Sequence, residues 1–79
     1  PILSHELTVG RDPSCDIIFA DGSVSRCHSR IFLANDTLYL EDLGSQNGTF
    51  VNGSRLEMAC VLRSGDEIKV GDAAFRLKF

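Results

Sequence analysis

No apolar run in the sequence approaches the roughly 18 residues needed to cross a bilayer. Pro1–Val9 shows no basic start followed by an apolar stretch, so neither a membrane span nor an export signal is visible. Positive charge is also short: eight Lys and Arg against eleven Asp and Glu give a net charge of -3. That balance excludes a general nucleic-acid or membrane-surface binder, since both depend on a positive field that displaces counterions. An anionic partner has to be held locally. Cys15, Cys27 and Cys60 are an odd number, widely spaced and without a C-x-x-C pair, and the histidines are two, His5 and His28. A disulfide framework and a metal site are both disfavoured. Apolar neighbours, Ile17 and Ile18 near Cys15 and Ala59 and Val61 around Cys60, suit small buried thiols in a reducing compartment, cytoplasmic or, in a eukaryote, nuclear. At 79 residues there is room for one domain, 1–79, and none for a catalytic domain with a separate substrate domain. The 43% apolar and 24% charged residues match an average globular chain and exclude collagenous, coiled-coil and disordered readings.

Helical patterning is the next absence. Glycine, proline or an Asn/Asp turn signal interrupts the chain every several residues from Gly10 to Gly71. Strand patterning is what remains. Ala73 to Phe79 alternates Ala73, Phe75, Leu77 and Phe79 with Ala74, Arg76 and Lys78, the period of a half-buried strand. Ile31–Leu33 and Leu38–Leu40 flank Asn35-Asp36, whose short polar side chains tolerate positive φ, and read as an antiparallel hairpin. Thr49–Val51 and Ser54–Leu56 flank Asn52-Gly53, the dipeptide best suited to a two-residue type I′ loop. Further strands fit Leu7–Val9, Asp16–Phe19 and Glu67–Val70. Arg55–Leu62 has good helix formers but is short for a stable helix, and is expected as strand, then loop. Many short strands at this spacing imply an all-β sandwich or barrel with its function on the loops.

Three loops are more polar than turning requires: Gly10–Ser14, Asp21–Arg30 and Gly44–Gly48. Arg11 follows a glycine at a strand end, where the missing side chain lets a backbone or ligand approach closely. Ser25 and His28 fall on opposite faces of an extended strand, so an interaction between them requires a bent loop. A serine beside a histidine suggests nucleophile and base, but no nucleophile elbow surrounds them and so short a chain offers little wall for a sequestered site. Phosphate binding uses the same residues more naturally, because a hydroxyl, backbone N–H groups and guanidinium groups are the donors that match a tetrahedral dianion. Asn47-Gly48 alone would read as another turn; the second Asn-Gly five residues on already supplies the hairpin, which leaves the Asn47 amide to offer a ligand backbone.

Taken together, Gly10-Arg11, Ser25-Arg26-Cys27-His28, Asn47–Gly53, Leu62–Ile68 and Val70-Gly71 resemble the forkhead-associated (FHA) domain, over almost the whole chain from Leu7 to Phe79. The resemblance implies an eleven-strand β-sandwich of two antiparallel sheets, of the FHA/SMAD type, whose loops at one end bind a phosphothreonine peptide without enzymatic activity, cofactor or metal. By the same resemblance Arg11, Ser25 and Arg26 contact the phosphate, with Ser25 using both side chain and backbone. Asn47 bonds to the peptide main chain just after the phosphothreonine, and Gly10, His28, Gly48, Asn52 and Gly53 support the loops. The implied partner is a phosphothreonine protein or peptide in Ser/Thr-kinase signalling, with no direct nucleic-acid or membrane contact and with other domains in a longer parent protein.

Three features depart from the family pattern. Gln46 stands where Ser or Thr is frequent, which leaves its own contact with the ligand secondary. Ser29 replaces a common alanine. The chain starts just before the strand leading into Gly10, where the family usually has an earlier strand, so the expectation is a sandwich without its first strand or a minimal version of it. Gln46 also allows a rival reading, a scaffold or assembly domain of the same fold that binds partners independently of phosphate.

Overall fold

The computed structural model describes residues 6–79 and contains two sheets. The strands are β1 (Glu6–Gly10), β2 (Ile17–Ile18), β3 (Ser29–Ala34), β4 (Thr37–Asp42), β5 (Thr49–Val51), β6 (Ser54–Arg55), β7 (Cys60–Val61), β8 (Glu67–Val70) and β9 (Ala73–Arg76). One sheet runs β2-β1-β3-β4-β7 and the other β6-β5-β8-β9. The all-β sandwich is as the sequence implied, with nine strands rather than eleven among the described residues. The expectations about the start of the chain, and His5, lie outside those residues.

Two turns fix the register locally. Asn35 and Asp36 have φ of 52° and 61°, the left-handed pair of a type I′ turn, and β3 pairs with β4 from Ala34↔Thr37 to Ser29↔Asp42. Asn52 and Gly53 repeat the geometry with φ of 50° and 87°, closing β5 on β6. The Asn52 side chain does more than turn: its Oδ1 accepts the Glu67 N–H at 3.0 Å and its Nδ2 donates to Asp66 Oδ1 at 3.1 Å, fastening the hairpin to the start of β8.

Several boundaries differ from the sequence reading. The last strand stops at Arg76, the partner of Glu67 where β8 begins, and beyond that pair the ladder gives way to a single bond from Gly65 N–H to Leu77 C=O at 2.9 Å. Leu77 still packs on the core, but Phe79 is 62% exposed. The strand expected over Asp16–Phe19 shortens to Ile17–Ile18 and lies parallel to β1, since the 11–16 loop carries the chain back beside Val9 before it runs forward again. Within Arg55–Leu62, a second strand, β7, pairs with β4 through Leu40↔Cys60 and Tyr39↔Val61 where a loop was expected.

Between the sheets, Val9, Val24, Ile31, Leu40, Leu62, Ile68 and Val70 form the buried core. Val24 belongs to no strand, so burying it draws the long 19–28 loop onto the end of the sandwich. Ser29 is fully buried on β3, and its hydroxyl has no hydrogen-bond partner among the described residues. An unpaired buried hydroxyl costs roughly 1–3 kcal/mol. Ser29→Ala should therefore raise stability by about 1 kcal/mol, a gain of some ~4–8 °C in thermal midpoint for a domain of this size; an unchanged or lower midpoint on thermal denaturation would show that the hydroxyl is satisfied.

Candidate functional site

The three polar loops meet at one end of the sandwich, and backbone groups stitch them together. Arg11 N–H donates to Ser25 C=O at 3.0 Å and Asp12 N–H to Arg26 C=O at 3.2 Å, so the 11–16 loop lies along the 19–28 loop. The buried Cys15 thiol adds a bond to Arg26 C=O at 3.2 Å, and burial pushes its pKa up. This contact explains Gly10: a Cβ there would sit 2.0 Å from Arg26 O and 2.9 Å from Cys15 Sγ. Any side chain would drive the two loops apart.

Arg11 is exposed, yet not loose. Its Nε donates to Val24 C=O at 3.0 Å, which orients the fork while leaving the two terminal nitrogens without a partner among the described residues. Arg26 is exposed, with no hydrogen bond from its guanidinium among those residues. Arg30, at the end of the same loop in sequence, is not brought to the site. It lies on β3, paired with Glu6 at 2.9 Å and Glu41 at 2.5 Å and stacked 4.2 Å over the Phe32 ring, and those two carboxylates hold its pKa up.

His28 is completely buried at the centre of the loops. Its Nδ1 accepts the Ser25 N–H at 3.0 Å, so the proton is on Nε2, which donates to Gly48 C=O at 2.7 Å. The main chain of His28 also donates to Val9 C=O and accepts from Leu43 N–H, both at 2.9 Å. One imidazole thus joins the Ser25 loop to the Gly48 loop. One expectation, that the Ser25 backbone is free for phosphate, changes as a result. The Ser25 N–H is spent on the ring, while the neighbouring Arg26 N–H has no partner among the described residues. Both ring nitrogens are engaged with backbone, so His28 cannot serve Ser25 Oγ as a base.

Ser25 Oγ accepts the Gln46 N–H at 3.1 Å and keeps its own proton to donate. Gln46 itself is exposed. Asn47 is less free than the sequence suggested: its Nδ2 donates to Ser23 C=O at 2.8 Å, which turns the amide and leaves Oδ1 as the group on offer. Ser23 in turn is locked from two sides. Its hydroxyl donates to Asp21 Oδ1 at 2.7 Å and accepts the Asp72 N–H at 2.8 Å, and Gly71 lies so close that a Cβ would be 2.3 Å from Ser23 O.

The residues that shape the Asn47 loop escaped the sequence reading. Asp42 Oδ1 accepts the hydroxyls of Ser45 at 2.5 Å and Thr49 at 2.6 Å, while Oδ2 accepts the N–H groups of Gly44 and Ser45, both at 3.0 Å. Ser45 Oγ then accepts the Gly48 N–H at 2.9 Å. Partial burial pushes the Asp42 pKa up, but these hydroxyl and N–H donors outweigh it and hold the carboxylate below its usual value. An Asp two residues before a Gly-Ser pair is the local signal of such a turn. All three thiols are free, with Cys15 buried and Cys60 half-buried as the sequence implied, but Cys27, on the bent loop, is exposed rather than buried.

The FHA domain family model matches residues 7–71. The glycogen accumulation regulator GarA of Mycobacterium tuberculosis is 43% identical over 79 residues, covering 99% of this chain and 47% of that protein. The chain spans about half the length of the curated relatives it matches. Among solved structures, Mycobacterium tuberculosis EmbR in complex with a low-affinity phosphopeptide superposes with a TM-score of 0.89 at 31% identity, over 99% of this chain and 21% of that one. The N-terminal FHA domain of S. cerevisiae Rad53p, in complex with a phosphothreonine peptide, gives a TM-score of 0.77 at 38% identity, over 84% of this chain and 56% of that one.

Proposed function

The chain belongs to the FHA domain family, and from that premise we propose that residues 1–79 form a single phosphothreonine-dependent recognition module acting in Ser/Thr-kinase signalling within a longer protein. The observation that carries the reading is the set of donors left uncommitted where the loops converge: the terminal nitrogens of Arg11, the guanidinium and N–H of Arg26, and the Ser25 hydroxyl. Arg11 clamps the phosphate with its oriented fork, Ser25 donates its hydroxyl, and Arg26 adds charge and a backbone donor. Asn47 Oδ1 takes a main-chain N–H of the peptide next to the phosphothreonine. Gly10, His28, Gly48, Asn52 and Gly53 hold the frame, and Gln46 makes at most a secondary contact.

A phosphothreonine brings about -1.5 to -2 charges and three strong acceptors. Each charge-assisted hydrogen bond contributes roughly 1.5–3 kcal/mol, so two or three of them, less the cost of association, give a micromolar-scale reversible contact. The engaged ring of His28 supports binding rather than catalysis, and the three free thiols suit a reducing, cytoplasmic setting. The test is a titration of matched phosphothreonine, phosphoserine and unmodified threonine peptides by calorimetry. Binding confined to, or strongest for, the phosphothreonine form is expected, and equal binding of all three would favour the phosphate-independent scaffold.

A further inference from the structure

We infer that Arg55 is a specificity-determining residue of the same site, receiving a carboxylate side chain of the ligand that flanks the phosphothreonine. The inference rests on the phosphothreonine reading and concerns a residue on a different strand from the loops that grip phosphate. The Asn52-Gly53 turn folds β6 back along β5, so that Arg55 pairs with Phe50. Its side chain then reaches back over the backbone that precedes β5. A Cβ on Gly48 would lie 3.0 Å from Arg55 Nε, 3.1 Å from Cζ and 3.3 Å from Nη2, so the guanidinium rests against the open face of Gly48, one residue from Asn47.

What the guanidinium does there is not explained by the fold. Other basic side chains have internal work: Arg30 pairs with Glu6 and Glu41, Arg76 donates to Gly65 C=O at 2.7 Å, Lys69 sits 5.8 Å over the Phe50 ring, and Arg63 lies beside Asp66. The Arg55 guanidinium has no hydrogen bond or ion pair with any described residue, although eleven acidic residues are present in the chain. At the convergent loops, Arg11 and Arg26, the latter near Asp12, are proposed above to take the phosphate, which leaves Arg55 without an assigned partner. Gly48 links the two positions, because its carbonyl is held by His28 while its Cα supports Arg55. A planar fork of N–H donors is built for a carboxylate. Residues of an extended peptide are about 3.3 Å apart, so a carboxylate that reaches this fork belongs within two or three residues of the phosphothreonine.

The experiment is a walk of a single glutamate through an otherwise neutral phosphothreonine peptide, from three residues before the phosphothreonine to four after it. Each peptide is titrated against the wild-type chain and Arg55→Ala at low and high salt. One position is expected at which glutamate tightens wild-type binding by about two- to fivefold, the range of a solvent-exposed ion pair, with the gain fading in salt and absent in Arg55→Ala. A structural role for Arg55 would weaken neutral and acidic peptides equally, and that result overturns the inference. So does a glutamate gain that survives Arg55→Ala, or the absence of any favoured position. Loss of phosphate dependence in the wild-type chain would instead remove the underlying reading, and the Arg55 inference with it.

Discussion

Arg11→Ala should abolish measurable phosphopeptide binding while moving the thermal midpoint by no more than a few degrees. The two halves of that outcome come from two parts of one side chain. The terminal nitrogens have no partner among the described residues and, in the proposed function, bind the phosphate; removing two charge-assisted bonds of roughly 1.5–3 kcal/mol each lowers affinity by about a hundredfold or more. From a micromolar start, that leaves nothing to detect. The Nε, by contrast, makes one half-buried bond to the Val24 carbonyl at 3.0 Å, and losing a single hydrogen bond costs about 1 kcal/mol, a few degrees of midpoint. Arg11→Lys separates charge from geometry. It keeps a cation but loses both the oriented fork and the tie to Val24, so binding should return only in part. Titration of the phosphothreonine peptide against both variants, with thermal denaturation alongside, checks the pair of expectations. A fall in midpoint as large as that of a core substitution would make Arg11 a structural residue.

The elements legible in the sequence are those fixed by neighbours along the chain. Asn35-Asp36 and Asn52-Gly53 each force a type I′ turn through their own φ values, and the strands on either side follow. The illegible ones are set by distant partners. β7 is a strand because Leu40 and Tyr39 are across from Cys60 and Val61, and nothing within Arg55–Leu62 announces it. The extent of β9 is decided by where β8 begins. The site shows the same division. Arg11, Ser25, Arg26 and Asn47 stand out by type and spacing, whereas their hydrogen bonds required the fold: the diversion of the Ser25 N–H to His28, the turning of the Asn47 amide by Ser23, and the Asp42–Ser45–Thr49 network. Arg55 belongs to the second kind, since only the return of β6 along β5 brings it over Gly48. Net charge misleads for a related reason. A total of -3 sums the whole surface, while the guanidinium groups of Arg11, Arg26 and Arg55, none with a hydrogen bond from its terminal nitrogens to a described residue, are the groups on which the proposed phosphate and carboxylate contacts rest.

His28→Ala should reverse the pattern of Arg11→Ala, with stability and binding lost together. The ring is fully buried and fills the junction of two loops, so its removal leaves a cavity and strips partners from the Ser25 N–H and the Gly48 carbonyl. Truncating a buried aromatic ring costs about 3–5 kcal/mol, and each orphaned backbone group adds roughly 1–3 kcal/mol where water does not reach it. A chain of this length has net stability of about 3–5 kcal/mol, so the variant should be largely unfolded near body temperature. Conservative variants keep the expectation testable if it does not fold. His28→Asn can place a carbonyl oxygen near the position of Nδ1 and still accept the Ser25 N–H, while His28→Gln can carry an amide N–H out to the Gly48 carbonyl. Each restores one of the two bonds, so both should melt between His28→Ala and the native chain, and phosphopeptide affinity, measured well below each midpoint, should fall in the same order as stability. Binding lost in a variant whose midpoint is unchanged would contradict this account, because it would mean that the imidazole meets the phosphate itself.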